Sequence, residues 1–125
     1  MLEGFELYNM ATGSASISIS ENGIGFGKAT VVRLGKSPFA RVFIDRKTNR
    51  IAIQASKDND NGAVPFFNNQ KSGAVRWNNK ELLKTLAQMM NCDFTKKVYK
   101  IDGDYLPDEQ AMVFDLNTAV LQSNE

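Results

Sequence analysis

The sequence predicts an α+β fold in which two strand–helix–β-hairpin units pack together as a small mixed sheet or barrel. Three observations support this prediction. Several segments alternate polar and apolar residues, as half-buried strands do. Two segments repeat apolar residues at the helical spacing. The order strand, helix, strand, turn and strand occurs on both sides of a polar central segment, which suggests a pseudo-twofold repeat.

The first unit begins with the alternating run Ser16–Ser20, which predicts a strand. The dipeptide Asn22-Gly23 follows, and this pair is typical of a tight hairpin turn. A short helix is predicted over residues 28–34, and Gly35 is suited to end it because glycine readily adopts the left-handed conformation of a helix C-terminus. Residues 39–54 then predict a β-hairpin with a basic turn.

The second unit repeats this order with a longer helix. Asn78 or Asn79 can cap a helix over residues 80–91, because the asparagine side chain accepts a hydrogen bond from a helix N-terminal N–H group. The flanking segments are predicted as a short strand (74–77), an alternating strand (97–101), a polar turn (102–109) and a final strand (111–116).

Five parts follow from these elements. They are an irregular N-terminal arm (1–14), the first strand–helix–hairpin unit (15–57), a polar linker or loop (58–73), the second unit (74–116) and a C-terminal tail (117–125). A hairpin alone is marginally stable in water. We therefore expect the two units to bury their apolar faces against each other.

The composition argues against most kinds of catalysis. The chain has no histidine and one cysteine, Cys92, which removes Ser-His-Asp chemistry, Cys-His chemistry and nearly all zinc sites. We predict a binding protein that is not an enzyme, with no catalytic residues, no metal site and no cofactor. The lone cysteine favours a reducing compartment. Because we find no signal peptide and no run long enough to span a membrane, we expect a cytoplasmic protein without a membrane partner.

The net charge of +1 hides a segmental pattern. Residues 28–57 carry eight basic and one acidic residue, and residues 71–100 carry seven and two. The last segment, residues 101–125, carries six acidic residues and no basic one. Such asymmetry indicates a polyanionic partner or self-association between oppositely charged surfaces. The alternative is that these charges simply form a solvated surface.

Residues 27–44, Gly27-Lys28-Ala29-Thr30-Val31-Val32-Arg33-Leu34-Gly35-Lys36-Ser37-Pro38-Phe39-Ala40-Arg41-Val42-Phe43-Ile44, resemble the core of AbrB/MazE-type swapped-hairpin DNA-binding domains. The resemblance spans residues 16–55. It depends on a short helix ending in Leu-Gly, a proline in the next loop, and a Val-x-Ile strand. Gly27 stands where the family usually has proline, and Val31 where it often has a functional arginine.

The resemblance implies an AbrB-like transcription regulator that binds duplex DNA. The family is dimeric, so the two units would form either a monomeric pseudo-dimer that resembles the swapped-hairpin dimer or a homodimer. Basic side chains would contact phosphates. The candidate nucleic-acid-binding residues are Lys28, Arg33, Lys36, Arg41, Arg46, Lys47 and Arg50.

A second hypothesis is a phage-type or accessory module that inhibits or modulates a host protein, such as a defence nuclease. The substituted helix arginine and the near-zero net charge favour it. Its candidate anchor is Phe66 and Phe67, which stand in a polar segment. The alternative for these two rings is docking onto the protein's own core.

Overall fold

The computed structural model describes residues 3–4 and 15–124. The strands are β1 (Ser16–Ser20), β2 (Gly23–Phe26), β3 (Phe39–Asp45), β4 (Arg50–Ser56), β5 (Val64–Pro65), β6 (Val75–Trp77), β7 (Lys97–Leu106), β8 (Ala111–Asp115) and β9 (Val120–Asn124). The helices are α1 (Lys28–Arg33) and α2 (Lys80–Met90), and a single 3₁₀ turn covers Leu116–Thr118. Among the described residues, no helix is long and apolar enough to cross a membrane.

All the described strands belong to one curled antiparallel sheet that forms a half-barrel. The strand order is β5-β3-β4-β8-β7-β1-β2-β6, and β9 pairs with β7 outside this path. The long strand β7 links the two halves of the sheet, because residues 98–102 pair with β1 and residues 103–106 pair with β8.

Local sequence signals account for the C-terminal end of α1 and the N-terminal end of α2. The end of α1 is closed by a Schellman motif, in which Gly35 has φ of 71° and the Lys36 N–H donates to the Val31 carbonyl. At the start of α2, the Asn79 side chain accepts a hydrogen bond of 2.9 Å from the Leu82 N–H. The predictions of Gly35 as a helix end and of an asparagine cap are confirmed.

The core lies on one face of the curled sheet. Residues of five strands direct fully buried side chains to this face, and the two helices cover it. Members of this cluster are Ile17, Ile19, Ile24, Phe26, Ile51, Ile53, Ile101, Met112 and Phe114 from the strands, Val31 and Leu34 from the α1 region, and Leu86 from α2. The alternation of these strand residues is the pattern that the sequence analysis used to predict strands.

The predicted fold class is wrong. The chain does not form two strand–helix–hairpin units in an α+β arrangement, because the strands of the two halves pair with each other: β1 with β7, β2 with β6, and β4 with β8. All these pairs are antiparallel, so the sheet is not mixed. Alternation identifies a strand but carries little information about which strand will pair with it.

Segments outside the two predicted units also differ from expectation. Residues 117–125 were predicted as a tail, yet part of the 3₁₀ turn and β9 lie there. Within the polar segment 58–73, Val64–Pro65 forms β5 and pairs with the start of β3. The arm predicted over residues 1–14 lies, apart from residues 3–4, outside the described residues.

Candidate functional site

The basic residues predicted to bind nucleic acid are divided between the two ends of the β3–β4 hairpin. One group lies on or just after α1 and precedes β3, and the other lies at the β3–β4 turn and the start of β4. The groups are Lys28, Arg33 and Lys36 at one end, and Arg46, Lys47 and Arg50 at the other. A seven-residue strand separates them by roughly 20 Å at about 3.4 Å per residue.

Acidic partners reduce the positive charge at the turn. The Arg50 guanidinium lies 3.6 Å from the Asp45 carboxylate. Hydrogen bonds from the Thr48 side chain and N–H, and to a lesser extent one from the Lys47 N–H and the charge of Arg50, hold the pKa of Asp45 below its usual range against the opposing effect of burial. Asp45 is therefore charged at neutral pH, and its carboxylate lies beside the Arg50 guanidinium.

Arg41 is occupied by an ion pair within the chain. Its Nη2 lies 2.9 Å from the Asp60 carboxylate and also donates to the Asp60 carbonyl, while its Nε donates to the Asn61 carbonyl. The guanidinium thereby holds the turn formed by residues 60–63 against β3. Arg41 therefore has a structural role, because it positions this turn.

The turn that Arg41 holds ends the pairing between β3 and β5. Asn61 and Gly62 both have positive φ, 49° and 83°, and the Ala63 N–H donates to the Asp60 carbonyl. Positive φ at both central residues defines a type I′ turn, which reverses the chain sharply. Consequently β5 pairs with only Phe39 and Ala40 of β3.

The rest of β3 is an open edge, which we define as residues 42–44. The Phe66 N–H donates to the Pro38 carbonyl, and Ala40 pairs with Val64, so even-numbered residues of this strand direct their main-chain groups away from β4. Val42 and Ile44 therefore present N–H and C=O groups on this side, and no strand among the described residues pairs with them there.

The open edge is also unusually apolar. Phe43 is 51% exposed and Ile44 is 41% exposed, and alternation along the strand places them on opposite faces of the sheet. Natural edge strands are commonly protected by charge, proline or a covering segment. Residues 42–44 have none of these among the described residues, and such an edge can pair with another chain.

A cleft of about 470 Å³ lies beside this edge, between β3 and β5 on one side and β6 and the start of α2 on the other. We call it the seam cleft. Its lining combines apolar side chains with three polar ones: Val42, Val64, Pro65, Trp77 and Leu82, together with Gly62, Arg76, Asn78 and Asn79. The curled sheet is incompletely closed here, which leaves room beside its first and last strands.

An aromatic cluster links β5 on one side of the seam cleft to β6 on the other. The Trp77 Nε1–H donates to the Pro65 carbonyl at 3.0 Å and so links β6 to β5. Phe66 packs edge-on against both Phe26 and Trp77, with ring centroids 5.1 and 5.7 Å apart. Phe66 is 4% exposed and Phe67 is half-buried. The two rings suggested as a partner anchor thus pack against the core.

The outer face of the sheet carries a shallow apolar patch next to the same edge. Phe43 pairs with Ala52, Ala52 pairs with Val113, and Leu106 lies in the same depression. Charged residues of both signs, Asp45 and Arg50, border it. An apolar centre with a charged rim is the usual arrangement of a protein-binding surface.

Within residues 3–4 and 15–124, no three Cys, Asp or Glu side chains come together as a possible metal site. No protein-family model, curated protein or solved structure matches this chain. The swapped-hairpin resemblance over residues 16–55 stays a prediction.

Sequence reasoning missed the open edge. One signal was present, since both faces of the predicted strand over residues 39–45 carry large apolar residues: Phe39 and Phe43 on one face, Val42 and Ile44 on the other. A strand with one solvated face would be polar on that face. β5 is short because the turn at Asn61-Gly62 reverses the chain, and the sequence carried no signal for the Arg41–Asp60 contact that holds this turn against β3.

Proposed function

We propose that this protein is a non-catalytic interaction module that binds an extended segment of a partner protein as an added strand. The segment would pair with Val42 and Ile44 on the open edge of β3. The observation that carries the proposal is the outward-facing main-chain groups of these two residues beside an apolar cleft. Strand addition of this kind takes its affinity from main-chain hydrogen bonds and its specificity from pockets for alternate side chains.

The surroundings of the edge define the chemistry of the partner segment. Successive side chains of an added strand point to opposite faces. On one face they would meet Val42 and Trp77 in the seam cleft, and on the other they would meet Phe43 and its apolar patch. The segment is therefore extended and carries apolar residues on both faces.

A nucleic acid suits this arrangement less well. Phosphate binding needs unpaired cations on one surface, whereas Arg41 and Arg50 are paired with carboxylates and the other candidates lie at opposite ends of the hairpin. Of the two partner classes that the sequence leaves open, duplex DNA and a protein, we therefore favour the protein.

A displayed library of random nine-residue peptides tests the proposal. We expect selection on the full chain to enrich peptides with apolar residues at successive positions, which place apolar side chains on both faces of the added strand. N-methylation of alternate peptide N–H groups distinguishes the binding mode, because methyl groups on the paired N–H groups should abolish binding while those on the intervening ones should not. Binding that is insensitive to the position of methylation would contradict strand addition.

Ile44→Lys is the matching protein variant, since an inward-pointing lysine blocks an edge. We expect it to weaken the binding of a selected peptide by about 5- to 150-fold, because the loss of two main-chain hydrogen bonds costs about 0.5–1.5 kcal/mol each. Val120→Lys on β9 is the control, because Val120 is also exposed but lies on another strand. Equal effects of the two variants would overturn the proposal. So would nucleic-acid binding at low salt that depends on Arg46 and Lys47 in a chain that enriches no peptide.

A further inference from the structure

We infer that a second copy of this chain occupies the open edge when no partner segment is bound, and that β3 pairs with β3 of the second copy across a twofold axis at Phe43. The inference concerns the same edge as the proposed function and names a further occupant of it. It follows from the order of side chains along β3 and from the direction of its main-chain groups.

The main chain fits this pairing. In an antiparallel pair centred on Phe43, Val42 of one copy lies opposite Ile44 of the other, and the converse holds across the twofold axis. These are the residues whose N–H and C=O groups face the open edge. Each Val42–Ile44 pair would exchange two hydrogen bonds. The dimer would therefore form four main-chain hydrogen bonds without moving β5.

The side chains fit the same register. On the outer face, the two Phe43 rings would lie directly opposite each other in a pair without main-chain hydrogen bonds, where side chains approach most closely. Arg41 and Asp45 keep their ion pairs with Asp60 and Arg50 of the same copy, so the contact is made by the apolar side chains of residues 42–44. On the inner face, Val42 would lie opposite Ile44, so both faces of the contact are complementary.

Neighbouring registers fit less well. A twofold axis at Val42 would place Ile44 opposite Ala40, whose main-chain groups β5 already occupies. A twofold axis at Ile44 would place Phe43 opposite Asp45 and so separate the two Phe43 rings. The Phe43-centred register is therefore favoured by hydrogen bonding and by the contact between the two Phe43 rings.

Analytical ultracentrifugation of the full chain tests the association. We expect a concentration-dependent equilibrium between the 13.9 kDa monomer and a species of twice that mass. Ile44→Pro should shift the equilibrium to monomer, because proline removes the outward N–H while leaving the ladder to β4 intact. Ile44→Lys serves as a second variant if the proline variant misfolds. A chain that remains monomeric at all concentrations, or a dimer that survives both substitutions, would overturn the inference.

Disulfide trapping tests the register. In a Cys92→Ala background, Phe43→Cys should form an intermolecular disulfide under mild oxidation, since directly opposed β-carbons lie about 4.5–5.5 Å apart and can be bridged after a small shift. Leu106→Cys is the matched control, because Leu106 is similarly exposed on the same outer face but lies three strands away. Equal cross-linking of the two variants would refute the Phe43-centred register.

The proposed function and the proposed dimer can be refuted independently of each other. A chain that binds selected peptides but stays monomeric keeps the proposed function and refutes the second copy as occupant. A chain that forms the trapped dimer but binds no peptide refutes the proposed function alone. If both hold, a selected peptide should lower the dimer fraction, because the two occupants compete for the same main-chain groups.

Discussion

Replacing Gly103 by alanine should destabilise the protein because of one close contact across β7 and β8. Gly103 pairs with Phe114, and the Phe114 ring lies over the glycine. A β-carbon at residue 103 would lie 2.4 Å from Cε2 and 2.7 Å from Cδ2 of that ring, and 3.0 Å from Cε of Met112. Phe114 and Met112 are fully buried, so neither can move without disturbing the core.

The magnitude follows from two opposing effects. Overpacking a close-packed core costs about 1–3 kcal/mol. Replacing glycine by alanine also restricts the unfolded chain, which contributes about 0.4–1 kcal/mol of stability where the backbone is compatible. Gly103 does not have a positive φ, so this gain applies. The net expectation is a loss of about 1–2 kcal/mol, or roughly 4–8 °C in Tm for a chain of this length.

Urea unfolding followed by circular dichroism measures this effect. We expect a lower midpoint with an unchanged m-value. Gly27→Ala is the control, because a β-carbon there meets nothing within 4 Å, and its small capping cost is offset by the restricted unfolded chain. Phe114→Leu should cost less in the Gly103→Ala background than alone, since the shorter side chain relieves the overlap. A Gly103→Ala protein as stable as the wild type would refute the close packing of Phe114 over β7.

Three further predictions concern the walls of the candidate site. Asn79→Ala should cost about 1 kcal/mol of unfolding free energy through the loss of the α2 cap, whereas Asn78→Ala should change the urea midpoint little. Trp77→Phe removes the hydrogen bond to the Pro65 carbonyl and should cost about 0.5–1.5 kcal/mol, with faster hydrogen exchange in the adjoining strands. Asp45 has a lowered pKa in the folded state, so the charged form stabilises the turn above about pH 3.8 and this contribution is lost as the pH falls through the folded-state pKa. Asp45→Asn should therefore lower the urea midpoint slightly at pH 7 and not at all at strongly acidic pH.

The elements themselves were largely predictable from local sequence. The hairpin of β3 and β4 follows from the alternation over residues 39–54, and the end of α1 follows from Gly35. Both signals are local, because strand periodicity and helix termination depend on residues a few positions apart. The Asn22-Gly23 dipeptide also lies at a hairpin, although Gly23 opens β2 and the two-residue loop is Glu21-Asn22.

The candidate site was predicted much less well. Arg41 was predicted to bind nucleic acid because of its charge, yet its guanidinium forms an ion pair with Asp60 and holds the 60–63 turn. Phe66 was chosen as an apolar residue in a polar segment, yet it packs against Phe26 and Trp77. In each case the deciding neighbour lies at least 11 positions away in sequence, and no local pattern identifies such a neighbour.

The sequence by itself determined that the chain contains alternating strands, a short helix ended by Gly35 and a longer helix capped by asparagine. It also determined the absence of histidine, which limits the available chemistry. Only the tertiary structure decided that strands of the two halves share one curled antiparallel sheet and that β5 stops after Val64–Pro65. The physical reason is that hydrogen-bonding capacity is the same for every strand, so pairing is chosen by the packing of side chains distant in sequence. The open edge of β3 is a product of that choice.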